Sequence, residues 1–238
     1  MQDDTRDSDV ERKLESWAAG QSSLKISPGL ARKVREALQS SLTPVKSIAS
    51  RRWLFVALLA VFLAGSAALV ALVSKAGLHL MTPIQMSTVF AILVGGGILF
   101  AIQLSGQMIP GSRPVIPFPR LLALCGVAFF GGLTMLFPWQ APGSFVSEGL
   151  PCAVMELAIA IAATAGFWLL ARRGALFASA GLGATLTGLA AFLALIPLQT
   201  QCMFQQAPHL LVWHGGSALL MVGFGALVGN LRRGRWSS

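Results

Sequence analysis

Six apolar stretches of about twenty residues follow a polar tail of some fifty residues, and the segments joining them alternate between arginine-bearing and arginine-free. The stretches are approximately 53–73, 84–104, 118–137, 153–171, 175–196 and 209–231. At ~1.5 Å per helical residue, each can cross a hydrocarbon core of ~30 Å. Arg51 and Arg52 precede the first stretch, Arg113 and Arg120 lie between the second and third, Arg172 and Arg173 follow the fourth, and Arg232, Arg233 and Arg235 follow the sixth. The opposite loops carry only Lys75. By the positive-inside rule both termini face the cytoplasm. The expected architecture is all-α: a polytopic bundle of six transmembrane helices over 51–236, with a short, partly helical cytoplasmic tail over 1–50.

Composition supports this and narrows the function. With 55% hydrophobic and 11% charged residues, and a mean hydropathy of +0.70, the chain lies outside the range of soluble domains. Its net charge of +9 is spread as juxtamembrane anchors without interleaved stacking aromatics, so direct nucleic-acid binding is not expected. Ser50-Arg51-Arg52-Trp53 superficially resembles a twin-arginine export signal. Five further spans follow, so we read the segment as an uncleaved first helix with a cytoplasmic flank.

The tail is acidic at its beginning (Asp3, Asp4, Asp7, Asp9, Glu11, Glu15) and basic in its second half (Lys25, Arg32, Lys33, Arg35, Lys46). Its pattern predicts two short amphipathic helices. One starts at Ser8 or Asp9 and places Val10, Leu14 and Trp17 on one side. The other starts at Ser27 with Pro28 in its first turn and carries Leu30, Val34 and Leu38. Helices this short cannot bury their stripes alone. The stripes therefore want a partner protein, the alternatives being the membrane surface or disorder.

Ligand-type side chains gather at the arginine-free side. Cys152 opens the fourth span and Cys202 follows the fifth, both on the periplasmic side, where two thiols read as disulfide partners. Closing that loop is worth ~4 kcal/mol in the chain-entropy model, less where the spans already restrain the chain. Glu148, Glu156, Met203, His209 and His214 lie near the same depth. Cys152, Cys202, His209, His214 and Glu156 could supply ligands to a soft or borderline metal ion. Their spacing is no recognised metal motif, so a redox-active or structural thiol pair ranks above a metal site. Glu156 is the one acidic residue within a span, with His214 as its natural partner. That pair could fix helix register, or serve signalling or proton handling. Cys125, deep in the third span, reads as a packed small hydrophobe, and His79 as a solvated loop residue. Trp139, Trp213 and Trp236 read as interfacial anchors. The glycines at 95–97, 126, 131, 132, 225 and 229, with Ala180, Ala184 and Gly188, read as helix-packing positions. No nucleophile–base pair, phosphate loop, zinc-protease motif or Cys-x-x-Cys stands out, so an enzyme is not expected.

Several motifs resemble one family. They are Leu150-Pro151-Cys152, Arg172-Arg173-Gly174-Ala175, Cys202, Val212-Trp213-His214 and the run GALVGNLRRGRW from Gly225 to Trp236, with Leu42-Thr43-Pro44-Val45 before the basic flank. In these the chain is similar to the six-span membrane anti-sigma factors of the NrsF type, negative regulators of sigma-F. The resemblance implies a cytoplasmic tail that holds an extracytoplasmic-function sigma factor inactive. It also implies two periplasmic cysteines, by position Cys152 and Cys202, that sense metal or oxidant stress. The sigma-binding residues would be Val10, Leu14, Trp17, Leu30, Val34 and Leu38. No cofactor is required, and the resemblance implies only a heavy-metal ion as signal at the cysteines. Two other function classes remain open: a small transporter or channel using Glu156 and His214, and a membrane thiol oxidoreductase cycling Cys152 and Cys202.

Overall fold

A computed structural model describes residues 16, 29, 32, 33, 36, 50–109, 112, 115–140, 143–172 and 179–233. The chain divides into two compact units, Met1–Ser47 and Ile48–Ser238. In the first, the five described residues are all helical, and Arg32 pairs with Glu36 at 3.6 Å, one turn apart on exposed surface. The expected stripe residues Val10, Leu14, Trp17, Leu30, Val34 and Leu38 lie outside the described residues, as do the proposed caps Ser8, Asp9 and Ser27.

The second unit contains six helices long and apolar enough to cross a membrane. They are α1 (Arg51–Leu72), α2 (Pro83–Gln107), α3 (Phe118–Leu136), α4 (Phe145–Ala171), α5 (Ala180–Gln201) and α6. The last is a continuous helical run made of an α turn Ala207–His209, a π segment Leu210–Gly215 and an α stretch Gly216–Arg233. Among the described residues there is no strand. The chain is thus an all-α membrane protein.

Side-chain caps set three of the six helix starts. Ser50 caps α1 by accepting from the Trp53 N–H at 3.4 Å, and Ser179 caps α5 by accepting from the Leu182 N–H at 3.1 Å. Thr82 and Gln85 form a reciprocal capping box at α2, with Pro83 in its first turn. The Gln85 amide also donates to the Leu136 carbonyl at 2.7 Å, pinning the start of α2 to the end of α3.

Two boundaries differ from the hydropathy reading. The fourth helix begins at Phe145, not near 153, and continues through Pro151. The fifth runs from Ala180 to Gln201, not 175–196, and continues through Pro197. A proline removes one intrahelical donor, which a helix held by its neighbours tolerates.

Helix α5 is the axis of the bundle. It packs on α1, α2, α4 and α6, and 89% of its span is buried against 22% for α1, α3 and α4. Glycines admit this packing where aromatic knobs enter: Phe62 rests on Gly97, Phe192 on Gly96 and Phe100 on Gly188. Gly132 meets Ile92, whereas Gly95, Gly126 and Gly131 have no neighbour within 4 Å of an added Cβ. Those three are not packing positions, in contrast to the expectation. Cys125 is buried in the core as anticipated, and His79 is exposed.

At the end of the bundle opposite the arginines, a 3-10 turn, Ala76–Leu80, closes over α5. It can do so because Gly77 has no side chain: a Cβ there would stand 2.5 Å from the Cys202 carbonyl oxygen and 2.9 Å from those of Gln199 and Thr200. Backbone cannot yield as a flexible side chain does. Gly77→Ala is therefore expected to cost about 1–3 kcal/mol, read as a lower melting temperature of the detergent-purified chain, whereas Gly126→Ala leaves it unchanged.

Candidate functional site

Cys152, Cys202, His209 and His214 converge at that same end. One ligand-type atom from each lies within 4.8 Å of the others. Three elements supply them. Cys152 stands in the second turn of α4, its thiol donating to the Glu148 carbonyl at 3.8 Å. Cys202 is the C-cap of α5, its N–H bonded to the Leu198 carbonyl at 2.9 Å and its thiol donating to the Phe204 carbonyl at 3.6 Å. Both histidines come from α6.

The loop from Cys202 to Gln206 is fixed by its own amides. The Gln205 side chain donates to the Cys202 carbonyl at 2.6 Å, and Gln199 donates to Gln205 at 3.0 Å. The Ala207 N–H donates to the Pro138 carbonyl at 3.0 Å, which ties the beginning of α6 to the loop after α3. His209 then stacks on Phe204, with ring centroids 5.2 Å apart, and meets His214 edge-on at 5.6 Å. Its Nε2 lies 3.5 Å from the Cys202 sulfur.

The π segment determines which way His214 faces. Five residues along an α-helix turn a side chain about 140° away from its starting face. A π turn bonds i to i+5, so the fifth residue returns nearly above the first. His209 and His214 thereby share one face. Nothing in hydropathy signals this, although the five-residue spacing already excludes a shared α-helical face.

Burial isolates the cluster from solvent. Cys202 is 3% exposed and His209 and His214 are fully buried, while Cys152 is half-buried and offers the approach from outside. Neither ring nitrogen of His214, nor Nδ1 of His209, has a hydrogen-bond partner. Cys202, just beyond the end of its span, holds its proton above the ordinary thiol range, first through the neighbouring Cys152 thiol and then through desolvation. All three cysteines are free thiols, and Cys125 lies apart in the core.

Glu156 does not join the four. It lies one turn deeper than Cys152 on α4, fully buried, and neither of its oxygens has a hydrogen-bond partner. The expected Glu156–His214 hydrogen bond is not formed, because His214 turns toward the thiols and His209 instead. The nearby Ser217 hydroxyl is committed to the Trp213 and His214 carbonyls at 2.6 and 3.0 Å. Glu148 is held by Ser144 within the first turn of α4, and Met203 is exposed. Trp213 is more than an interfacial anchor. It wedges against Gly149, where a Cβ would fall 2.0 Å from its Nε1, and it packs beside Phe145. Trp139 is exposed as an anchor should be, and Trp236 lies outside the described residues.

No curated protein and no solved structure matches this chain. A family model does: the negative regulator of sigma F, NrsF, matches residues 38–236. The match spans the whole bundle, the four converging side chains included. The chain therefore belongs to the NrsF family of negative regulators of sigma F, and a sigma factor is its partner.

Proposed function

We propose that this chain is an inner-membrane anti-sigma factor with both termini in the cytoplasm. Its tail, residues 1–50, sequesters a sigma factor of the extracytoplasmic-function class, and a periplasmic metal or oxidant acting at Cys152 and Cys202 releases it. The observation that carries the reading is the meeting of these two thiols. They are fifty positions apart on different helices, and they lie at the end of the bundle opposite Arg51, where the tail joins.

Either signal has a direct chemical route. An oxidant can join the two sulfurs, taking up the two electrons and two protons that the thiols give up. A soft metal ion can instead take both as thiolates. Each ties the second turn of α4 to the end of α5, the central helix, and so favours one arrangement of the bundle over another. Only such a differential interaction can shift the equilibrium that the tail reads.

The tail is tested with the full chain, affinity-tagged and solubilised from its own membrane in mild detergent. A sigma factor should co-purify with it. Leu30, Val34 and Leu38 changed together to Asp should cut the yield far more than tenfold, since burying each apolar side chain is worth about 1.5 kcal/mol or more and about 1.4 kcal/mol is a decade. Equal capture by both versions would remove the proposed helix stripe as the binding element. Absence of any sigma factor from the wild-type preparation would overturn the reading as a whole.

A further inference from the structure

We propose that Cys152, Cys202, His209 and His214 together form one tetrahedral site for a divalent cation of borderline softness, zinc or cadmium, and that the π segment of α6 is what completes it. The proposal deepens the sensor reading of this end of the bundle by making the two histidines ligands and naming the ligand class. Binding itself needs no sigma factor.

The geometry fits such an ion. With Zn–S near 2.3 Å and Zn–N near 2.0–2.1 Å, a tetrahedral site has ligand-to-ligand edges of about 3.4–3.8 Å. The His209 Nε2 and the Cys202 sulfur are already 3.5 Å apart, and all four atoms lie within 4.8 Å. The widest pair must close by about an ångström, shared between two side chains that turn toward the ion. The donor set of two thiolates and two imidazoles selects a tetrahedral, borderline-soft ion over magnesium or calcium, which require oxygen.

The orphaned nitrogens point the same way. Buried polar groups are nearly always partnered, yet fully buried His214 has neither ring nitrogen satisfied, and the His209 Nε2 lies against the Cys202 sulfur. An ion would take one nitrogen from each ring. The π segment also has its reason here. With α-helical winding over 209–214 one histidine would face away by about 140°, and only three ligands would remain. Glu156, outside the four-atom group, is not a ligand.

The test uses the full chain purified in detergent under reductant and titrated with cobalt(II), which adopts the zinc geometry and absorbs visible light when tetrahedral. One equivalent should produce intense visible bands together with a near-ultraviolet thiolate-to-cobalt band, and zinc should displace both. Cys152→Ser should lower the thiolate band by about half, since one of the two sulfur ligands remains. His209→Gln and His214→Gln should each weaken binding at least tenfold, given that loss of even an outer-shell partner costs ~10–100-fold. Glu156→Gln should bind as wild type.

Deleting Val212, which is half exposed, gives a control that keeps every ligand. It converts the π segment to α winding with the histidines four apart, again on one face, so the tetrahedral spectrum should persist. A wild-type chain giving only the weak spectrum of hexaaqua cobalt would overturn the site. So would a wild-type spectrum in both histidine variants. Loss of the bands on Val212 deletion, in a chain that elutes and melts as wild type, would overturn the role given to the π segment. None of these readouts involves a sigma factor, so failure of the site and failure of the anti-sigma reading are separate results.

Discussion

With Cys152 and Cys202 both replaced by Ser, the chain is expected to go on holding its sigma factor and to lose the ability to let it go. Serine preserves the size of the thiol at both positions, so the repressing arrangement of the bundle should survive. It cannot form a disulfide, and it is a poor ligand for a soft ion. Transcription from a promoter that depends on the sigma factor should therefore be equally low in both strains without stress. It should rise on exposure to cadmium or peroxide only in the wild type. Magnitudes favour this assignment over one resting on weaker groups at the same site. Moving a two-state equilibrium from 1:99 to 99:1 takes about 5.5 kcal/mol of differential binding. A single hydrogen bond supplies about 0.5–1.5 kcal/mol, whereas apparent binding energies of thiolate–imidazole zinc sites run to about 10–16 kcal/mol. A serine variant that still responds in full would remove the thiols as the input. One that is active without stress would show instead that the thiols hold the repressing state.

The second large effect is expected where α5 and α6 cross. A Cβ on Gly183 would fall 1.9 Å from the Gly225 carbonyl oxygen, one on Gly225 would fall 2.5 Å from that of Gly183, and one on Gly229 would fall 2.2 Å from that of Ser179. Backbone meets backbone along two turns, and the one side chain against Gly225, the short Thr187, is itself bonded to the Gly183 carbonyl at 3.0 Å, so Gly225→Leu must separate the helices. Overpacking costs about 1–3 kcal/mol where side chains can adjust, and this contact should reach or exceed the upper value. At about 2–4 °C per kcal/mol for a chain of this size, the melting temperature in detergent should fall by roughly 6–12 °C. Gly223, two residues away on the same helix, has nothing within 4 Å of an added Cβ. Gly223→Leu should therefore leave the melting temperature within a degree or two. Equal effects at the two positions would show that the crossing is not where α6 is held.

Gly223 and Gly225 also mark where the sequence stops being informative. In water, burial is written into the chain as an apolar stripe on a polar background. In lipid the outside of the bundle is as apolar as the inside, so periodicity carries no such mark. Six spans could be read from hydropathy, and the arginine alternation from charge, because each depends on one segment meeting one solvent. That α5 rather than α1 is the buried axis could not be read, since both are apolar all round. Nor could Gly95, Gly126 and Gly131 be told from Gly96, Gly97 and Gly188, because a glycine that admits a neighbour and one that faces lipid look alike in sequence.

The thiol cluster divides along the same line. Topology from charge alone placed Cys152, Cys202, His209 and His214 near one depth, because depth follows from counting residues along each span. Proximity within the plane of the membrane does not follow from counting. It arises from the packing of α4 and α6 on α5, from the Ala207–Pro138 hydrogen bond at the head of α6 and from the local winding of Leu210–Gly215. The pairing of Glu156 with His214 failed on that last feature, since a π turn aims His214 at the sulfurs. The sequence by itself determined the class of fold, the number of spans and the family, all of which reside in local composition and short motifs. Only the tertiary structure decided which side chains meet, because in a uniformly apolar medium the choice of neighbour rests on shape and hydrogen bonds, which no single segment contains.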